Sequence, residues 1–369
     1  MDIKVLQIAN GYLKKGLYKN LFKSLDEYVN NTIFVPVRYG DKTDTGEMIG
    51  NVVVKECFSN FDRLVFYKKQ FNILKEAERS LDIENFNILH AHTVFSNGYL
   101  AYKLKKTYGI PYIVSVRNTD LYVFFEKFFF MRKLGLRILE NAGAIVFLSE
   151  AYKKELINKY VPVEKRTDIE NKCVIIPNGI DDVFFENEIG KKKISQVVNL
   201  LHIGDIDKNK NLTETVSAVQ ILKERGYSIS FKAVGTVKDK RLEKRLNDSK
   251  VEIYPRCTLK ETLKYYKDSQ ILVMPSHHET FGLVYAEAMS QGLPVVYTRG
   301  QGFDGQYSDG EVGYSVSDDK PEELACVIEQ IIEDYENISE RCIEHSNRYG
   351  WQLIAKKYFE IYERVMNNA

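Results

Sequence analysis

Glu279 and Glu287, with seven residues between them in the stretch HHETFGLVYAEAMSQGLPVV (His277–Val296), have the chemistry of an acid/base pair or of two hydrogen-bonding hands on one ligand. On one helix they would stand about 12 Å apart, at roughly 1.5 Å of rise per residue. That exceeds the roughly 5 to 9.5 Å between carboxylates that share a scissile bond. The stretch follows an apolar run, ILVMPS, and meets Gly292 and Pro294. Helical spacing therefore runs from Phe281 to Gln291, with Glu279 before the helix and Glu287 on its second turn. Carboxylates so placed suit the hydroxyl pairs of an elongated ligand, and Gly282 would let phosphates approach the helix N-terminus. A nucleoside diphosphate sugar has that shape. Taken alone, one glutamate before a helix and one on it is also an ordinary structural pattern.

Other chemistry sits in short loops. GDIDKNKNL (Gly204–Leu212) presents Lys208 and Lys210 before a helix, where a lysine can neutralise phosphate as a mobile point charge. Asp205 and Asp207 have a D-x-D spacing, but two acids in a lysine-rich turn are better read as a solvated loop than as a metal-bound diphosphate site. PNGID (Pro177–Asp181) is a rigid Asn-Gly turn. HAHTVFSNG supplies His90 and His92 at a strand end, a place where a lone histidine is more often structural than catalytic.

The elements that must position these residues are Val- and Ile-rich runs alternating with stretches of helical period. IKVLQIA, TIFVPV, FNILHAH, PYIVSV, GAIVFLS and CVIIPN come first; VVNLLHIG, SISFKAVG, VEIYP, ILVMPS and PVVYT follow. Near-continuous apolar runs imply strands buried on both faces beneath crossover helices, hence parallel sheets of the α/β class. The 369 residues exceed what one core comfortably holds. The restart after ENEIGKKKIS, at about residues 186–195, predicts two doubly wound domains. The closing NRYGWQLIAKKYFEIYERVM is an amphipathic helix that must dock on something. Open parallel sheets bind ligands at the carboxyl ends of their strands, where all the loops above lie.

In this order and spacing the motifs resemble the retaining glycosyltransferases of family 4. The E-x7-E element is at Glu279 and Glu287, IPNGID at Ile176–Asp181, and G-x5-K-N at Gly204, Lys210 and Asn211; FLSEAYKKEL and the closing W-x-x-I-A-x-x-Y also match. The resemblance implies the GT-B fold, two Rossmann-like doubly wound domains facing across a cleft. It places an acceptor-binding domain at 1–188, a nucleotide-sugar domain at 189–348, and a helix at 349–369 that returns to the first domain. Carried over, it gives Glu287 the ribose hydroxyls and Glu279 those of the donor sugar. The backbone of Phe281, Gly282, Leu283 and Val284 receives the diphosphate, and Lys210 stabilises the leaving phosphate. Gly16, Asn178 and Asp205 fall on the donor side, His92 among the catalytic residues, and Arg117 and Asp120 on the acceptor side. Neither a metal nor another cofactor is implied, the nucleotide sugar being a co-substrate. Arg117 stands where many relatives have histidine, and Asp205 where an arginine usually follows the glycine. These departures keep open a second reading, a catalytically weak subunit that binds a partner transferase or a glycan.

Composition sets the frame. With 44% hydrophobic and 28% charged residues and a net charge of +1, the chain is neither disordered nor built for nucleic acid. Residues 1–185 carry about five more basic than acidic groups, and the rest about four more acidic than basic. Five scattered cysteines without a C-x-x-C suggest neither a disulfide framework nor zinc, and fit a reducing cytoplasm. No run reaches the roughly 20 apolar residues of a membrane span. YVFFEKFFFMRKLGLR (Tyr122–Arg137) mixes aromatics with bases and is a candidate for peripheral contact with the inner face of a membrane. A nicotinamide dehydrogenase is disfavoured, because no G-x-G-x-x-G follows a first strand. The expected activity is transfer of a sugar, from a UDP-sugar above other donors, to a glycan or lipid-linked acceptor in bacterial surface polysaccharide assembly.

Overall fold

The apolar runs form parallel strands in two units of the computed structural model, which describes residues 3–14, 16–41, 48–187 and 192–368. The first unit contains β1 (Lys4–Ile8), β2 (Asn30–Arg38), β3 (Asn51–Phe58), β4 (Ile88–Ala91), β5 (Tyr112–Ser115), β6 (Ala144–Phe147) and β7 (Cys173–Ile175). Among the described residues they lie in the order β3-β2-β1-β4-β5-β6-β7, with Ile8 opposite Phe34 on one side and Ala91 on the other. β4, β5 and β6 are buried at every position, as near-continuous apolar runs require. Two apolar clusters cover the faces, one around Phe95, Leu100 and Leu139, the other around Phe22, Ile354 and Tyr358.

The helix Trp351–Asn367 belongs to this first unit and packs against the helix Gly16–Leu25. Its fit is steric and polar. A side chain on Gly143 would come within 2.4 Å of Val365, and one on Gly179 within 2.4 Å of the Trp351 ring. The Tyr362 hydroxyl lies 2.8 Å from His90 Nδ1 and accepts from Gln7 Nε2 at 3.1 Å, tying the helix to β4 and β1.

The second unit repeats the plan with β8 (Val198–Ile203), β9 (Ile229–Val234), β10 (Glu252–Tyr254), β11 (Ile271–Met274), β12 (Val295–Thr298) and β13 (Gly313–Val316), in the order β10-β9-β8-β11-β12-β13. Strand order reverses between β8 and β11, and their carboxyl ends open the crevice where such sheets take ligands. Two strands fall outside the apolar runs. β3 carries Lys55 and Glu56, and β13 is only GYSV; each is an edge strand, which needs no double-faced apolar run.

The boundaries differ from the expected 188/189 and 348/349. The chain leaves the first unit after Gly179 and re-enters it at Trp351, and Ser149–Ala151 group with the second unit. Gly179 is committed to Trp351, whereas the Ile180 N–H donates to the Tyr349 carbonyl at 3.1 Å within the second unit. Of the lysine-rich stretch near 190, residues 188–191 lie outside the described residues, and Lys192 packs within the second unit. The buried Lys192 Nζ donates to the carbonyls of Tyr266 (2.6 Å), Lys267 (3.1 Å) and Ser269 (2.7 Å), at and just past the end of helix Leu259–Lys267. Burial pushes this amine down to about 7.

Candidate active site

At the switch point of the second sheet the loops after β8 and β11 are sewn together. The Asn209 carbonyl accepts from the His277 N–H at 2.9 Å, and its amide donates to the His278 carbonyl at 3.0 Å. Asn211, in the left-handed region at φ 55°, donates to the carbonyls of Pro275 (3.2 Å) and Asp318 (2.6 Å). Between these stitches Lys210 Nζ meets Glu279 Oε2 at 2.6 Å, the two side chains only 19% and 16% exposed. A third loop holds the glutamate from behind. The Glu279 N–H donates to Gln301 Oε1 at 3.0 Å and its carbonyl accepts from the Gly302 N–H at 2.8 Å. A side chain on Gly302 would strike the Thr280 carbonyl oxygen at 1.9 Å. The glycine-rich loop Thr298–Gly313 thus positions Glu279 directly, a role that its composition alone did not announce.

The helix after β11 spans Leu283–Ser290, two residues shorter at its start than its spacing predicted. Gly282 ends the approach at φ 72°, and a Cβ there would meet the Tyr285 ring at 2.3 Å. The buried Phe281 precedes it, and the first N–H groups of the helix, at Leu283 and Val284, have no carbonyl within the helix to bond. Glu287, one turn on, accepts from the Tyr266 hydroxyl at 2.9 Å. Burial pushes its carboxyl up to about 7, the Tyr266 hydroxyl opposes this, and the Asp181 charge adds to it.

Glu287 and Val284 form one wall of a pocket of about 330 Å³ at the ends of β8, β9 and β10. Gly204, Asp205, Gly235, Thr236, Arg256 and Cys257 line the rest. Gly235 lets the two turns close up, since a Cβ there would fall 1.7 Å from the Gly204 oxygen. Asp205 lies 3.9 Å from Lys238. Lys208 turns elsewhere and helps hold the Asp239 carboxyl down, after the backbone N–H groups of Arg241 and Leu242. Arg256 and Thr236 belong to no motif in the sequence, although each follows a strand end and the same positional rule reaches them. His202, buried at the end of β8, was also unremarked. Neither ring nitrogen makes a well-formed hydrogen bond, and burial, then the Lys210 charge, push it down to about 3. Among the described residues no three of His, Cys, Asp and Glu are grouped to hold a metal ion.

The remaining expected site residues belong to the first unit. His92 has no exposed surface, and this corrects its placement among ligand-contacting groups. Its Nε2 lies 2.8 Å from Gln7 Oε1, and its ring stacks on His90 at 3.9 Å and meets Tyr18 and Phe22 edge-on. Burial, His90 and Arg117 hold it well below the usual histidine range, so it is a neutral packing group. Asp120 is also buried, accepting from the N–H groups of Phe95 (3.1 Å) and Arg117 (2.9 Å), and burial raises it to about 6 against those bonds. It shapes the turn after β5 that carries the partly exposed Arg117. Gly16 opens its helix in the open, with nothing within 4 Å of a would-be side chain, and Asn178 is half-buried in the turn after β7.

Known proteins share both the sequence pattern and the fold. A D-inositol 3-phosphate glycosyltransferase of Paenarthrobacter aurescens is 25% identical over 307 residues, 76% of this chain and 74% of its own. Sucrose-phosphate synthase of Thermosynechococcus elongatus has the same fold over 100% of both chains, with a TM-score of 0.74 at 15% identity. So does HepE of Anabaena, solved in complex with UDP and glucose, over 97% of this chain and 98% of its own, with a TM-score of 0.68 at 15% identity. Residues 27–184 match the family description Glycosyltransferase Family 4, and residues 181–349 match Glycosyl transferases group 1. Spanning residues 27 to 349 between them, these matches make the chain a member of the family 4 glycosyltransferases, with the GT-B fold.

Proposed function

We propose that this glycosyltransferase takes a sugar from a UDP-sugar and passes it, with retention of anomeric configuration and without a metal, to a glycan or lipid-linked acceptor of a bacterial surface polysaccharide. The observation that carries the reading is the Lys210–Glu279 pair, poised at a switch point beside a pocket walled by Glu287. The pocket of about 330 Å³ suits a nucleoside, with Glu287 accepting from the ribose hydroxyls. The helix start at Leu283 and Val284 faces the diphosphate with free N–H groups. On donor binding Lys210 turns from Glu279 to the phosphate, and Glu279 turns to the sugar hydroxyls. Fixed donors aimed at developing phosphate charge supply what a metal would otherwise provide. The acceptor oxygen then bonds to the anomeric carbon on the face from which the diphosphate departs, and a diphosphate oxygen takes the acceptor's proton. The UDP-bound relative of the same fold supports the choice of base. Acceptor recognition is assigned to Arg117 and its turn, which Asp120 shapes.

Thermal-shift screening against UDP-, GDP- and ADP-sugars tests the donor, since a ligand at 100 times its Kd adds about 2.7 kcal/mol to the folded state. Slow hydrolysis of the stabilising sugar, unaffected by EDTA, supports catalysis, and a product of inverted configuration by NMR would sink the retaining mechanism. Binding without hydrolysis or transfer would favour the binding-subunit reading, which Asp205 and Arg117 keep in view.

A further inference from the structure

The first unit leaves large apolar side chains in water at two places that are distant in sequence. Around the start of helix Phe66–Ser80, Leu64 is 81% exposed and Phe61, Tyr67 and Phe71 more than half. In the segment before helix Arg132–Asn141, Phe129 and Phe130 are 68% and 67% exposed and Phe128 is 42%. Ring contacts join the two places. Phe66 meets both Tyr67 (5.5 Å) and Phe124 (6.2 Å), Phe124 meets Phe128 (5.8 Å), and Phe128 meets Phe130 (5.8 Å). The core beneath has no room for more: a side chain on Gly135 would come within 2.6 Å of Phe95 and 2.7 Å of Phe125. Phe128–Phe130 are therefore surplus to packing, and exposed aromatics clustered in this way mark a contact site.

The charge around it selects the partner. Lys68 lies over the Phe61 ring at 5.5 Å, Lys69 over Phe58 at 4.4 Å and Lys103 over Tyr99 at 5.7 Å, while Lys127 and Lys133 flank the phenylalanines in the open. Asp62 is already engaged by Lys68 at 2.9 Å. Protein–protein interfaces are depleted in lysine, whereas aromatics inserted among flexible lysines match a layer of anionic headgroups over acyl chains.

We propose that this surface docks the protein on an anionic lipid bilayer, with Phe128–Phe130, Phe61 and Leu64 entering the headgroup boundary and the lysines meeting lipid phosphates. The docking stands apart from the transfer reaction and is measured without it.

The full chain is floated with phosphatidylcholine vesicles, with or without about 30% phosphatidylglycerol. Binding is expected only with the anionic lipid, at least about tenfold tighter than with phosphatidylcholine alone, and weakened in about 0.5 M salt. F129S/F130S, at exposed positions, should keep the thermal midpoint and lose binding about tenfold, and K127E/K133E should lose the preference for anionic lipid. Wild-type protein that stays unbound to both vesicles, or F129S/F130S that binds as tightly as wild type, overturns the proposal. A concentration-dependent dimer that F129S/F130S abolishes, without vesicle binding, would assign the surface to a second copy of the chain and overturn it equally.

Discussion

Lys210 Nζ and Glu279 Oε2, from loops 69 residues apart, are held 2.6 Å from one another by hydrogen bonds that the Asn209 and Asn211 side-chain amides donate across the two loops. Their charges satisfy each other in the donor-free protein, and catalysis asks them to separate. K210A and E279A should each cut turnover roughly a hundredfold or more, the usual cost of a lost charge-stabilising group. The charge-swapped double variant K210E/E279K separates the two roles: it should recover the thermal midpoint lost by each single swap, yet not the turnover. Recovery of both would mean that the pair is merely structural.

Glu287 gives the donor a pH signature. Its carboxyl sits at about 7 in the free protein and must be ionised to accept from two hydroxyls. Donor Kd should stay flat above about pH 7.5 and rise by up to roughly tenfold per unit as pH falls below 7. E287Q binds more weakly and flattens that profile. A carboxyl raised on folding destabilises the native state as pH rises from its unfolded value toward 7, so E287Q should raise the thermal midpoint more at pH 8 than at pH 5. Equal gains at both pH values would contradict the raised carboxyl.

Gly282→Ala is expected to cost about 1–3 kcal/mol in urea unfolding, the range for a residue forced into a sparsely populated backbone region. Strain comes both from φ 72° and from the Tyr285 ring, which cannot swing away because its hydroxyl donates to the Met274 carbonyl at 2.9 Å. A change under about 0.5 kcal/mol, typical of a bland surface substitution, would show that the turn yields.

His202 is a buried base held down to about 3, so the unfolded chain takes up a proton that the folded one refuses. Stability from this site is present above about pH 6.5 and is lost as pH falls toward 3, on the order of 1 kcal/mol by pH 5.5. His90 and His92 act in the same direction, against the opposite trend from the raised Glu287 and Asp120. H202F leaves no polar partner stranded, so its melting midpoint should exceed that of wild type at pH 5.5 by more than at pH 8. A pH-independent difference would remove His202 from the acid limb.

Much of this was legible in the residues, because buried parallel strands must be apolar throughout and their loops must carry the polar groups. The strands β1, β2 and β4 to β12 could be picked out as runs, and Lys210 and Glu279 as the polar groups that follow β8 and β11. What escaped notice depended on contacts distant in sequence. His92 looks like an active group on a strand end until Phe22 and Tyr18 cover it. Lys192 looks like linker until three carbonyls claim it. The unit boundary at Gly179 is visible only once Trp351 lies against it. Gln301 carries no local signal for its hold on Glu279, since the bond spans 22 residues that include a helix and β12.

The return of helix Trp351–Asn367 to the first sheet fixes an order of assembly. Gln7 waits for Tyr362 across 355 residues, while every strand of the second unit lies inside that interval. On a ribosome the second unit can close first, and β1 and β4 keep one face uncovered until the last helix emerges. Contacts of such long sequence separation form slowly and leave apolar surface open meanwhile. Slow refolding and aggregation should therefore originate in the first unit, and a chaperone that binds nascent chains would find its target there.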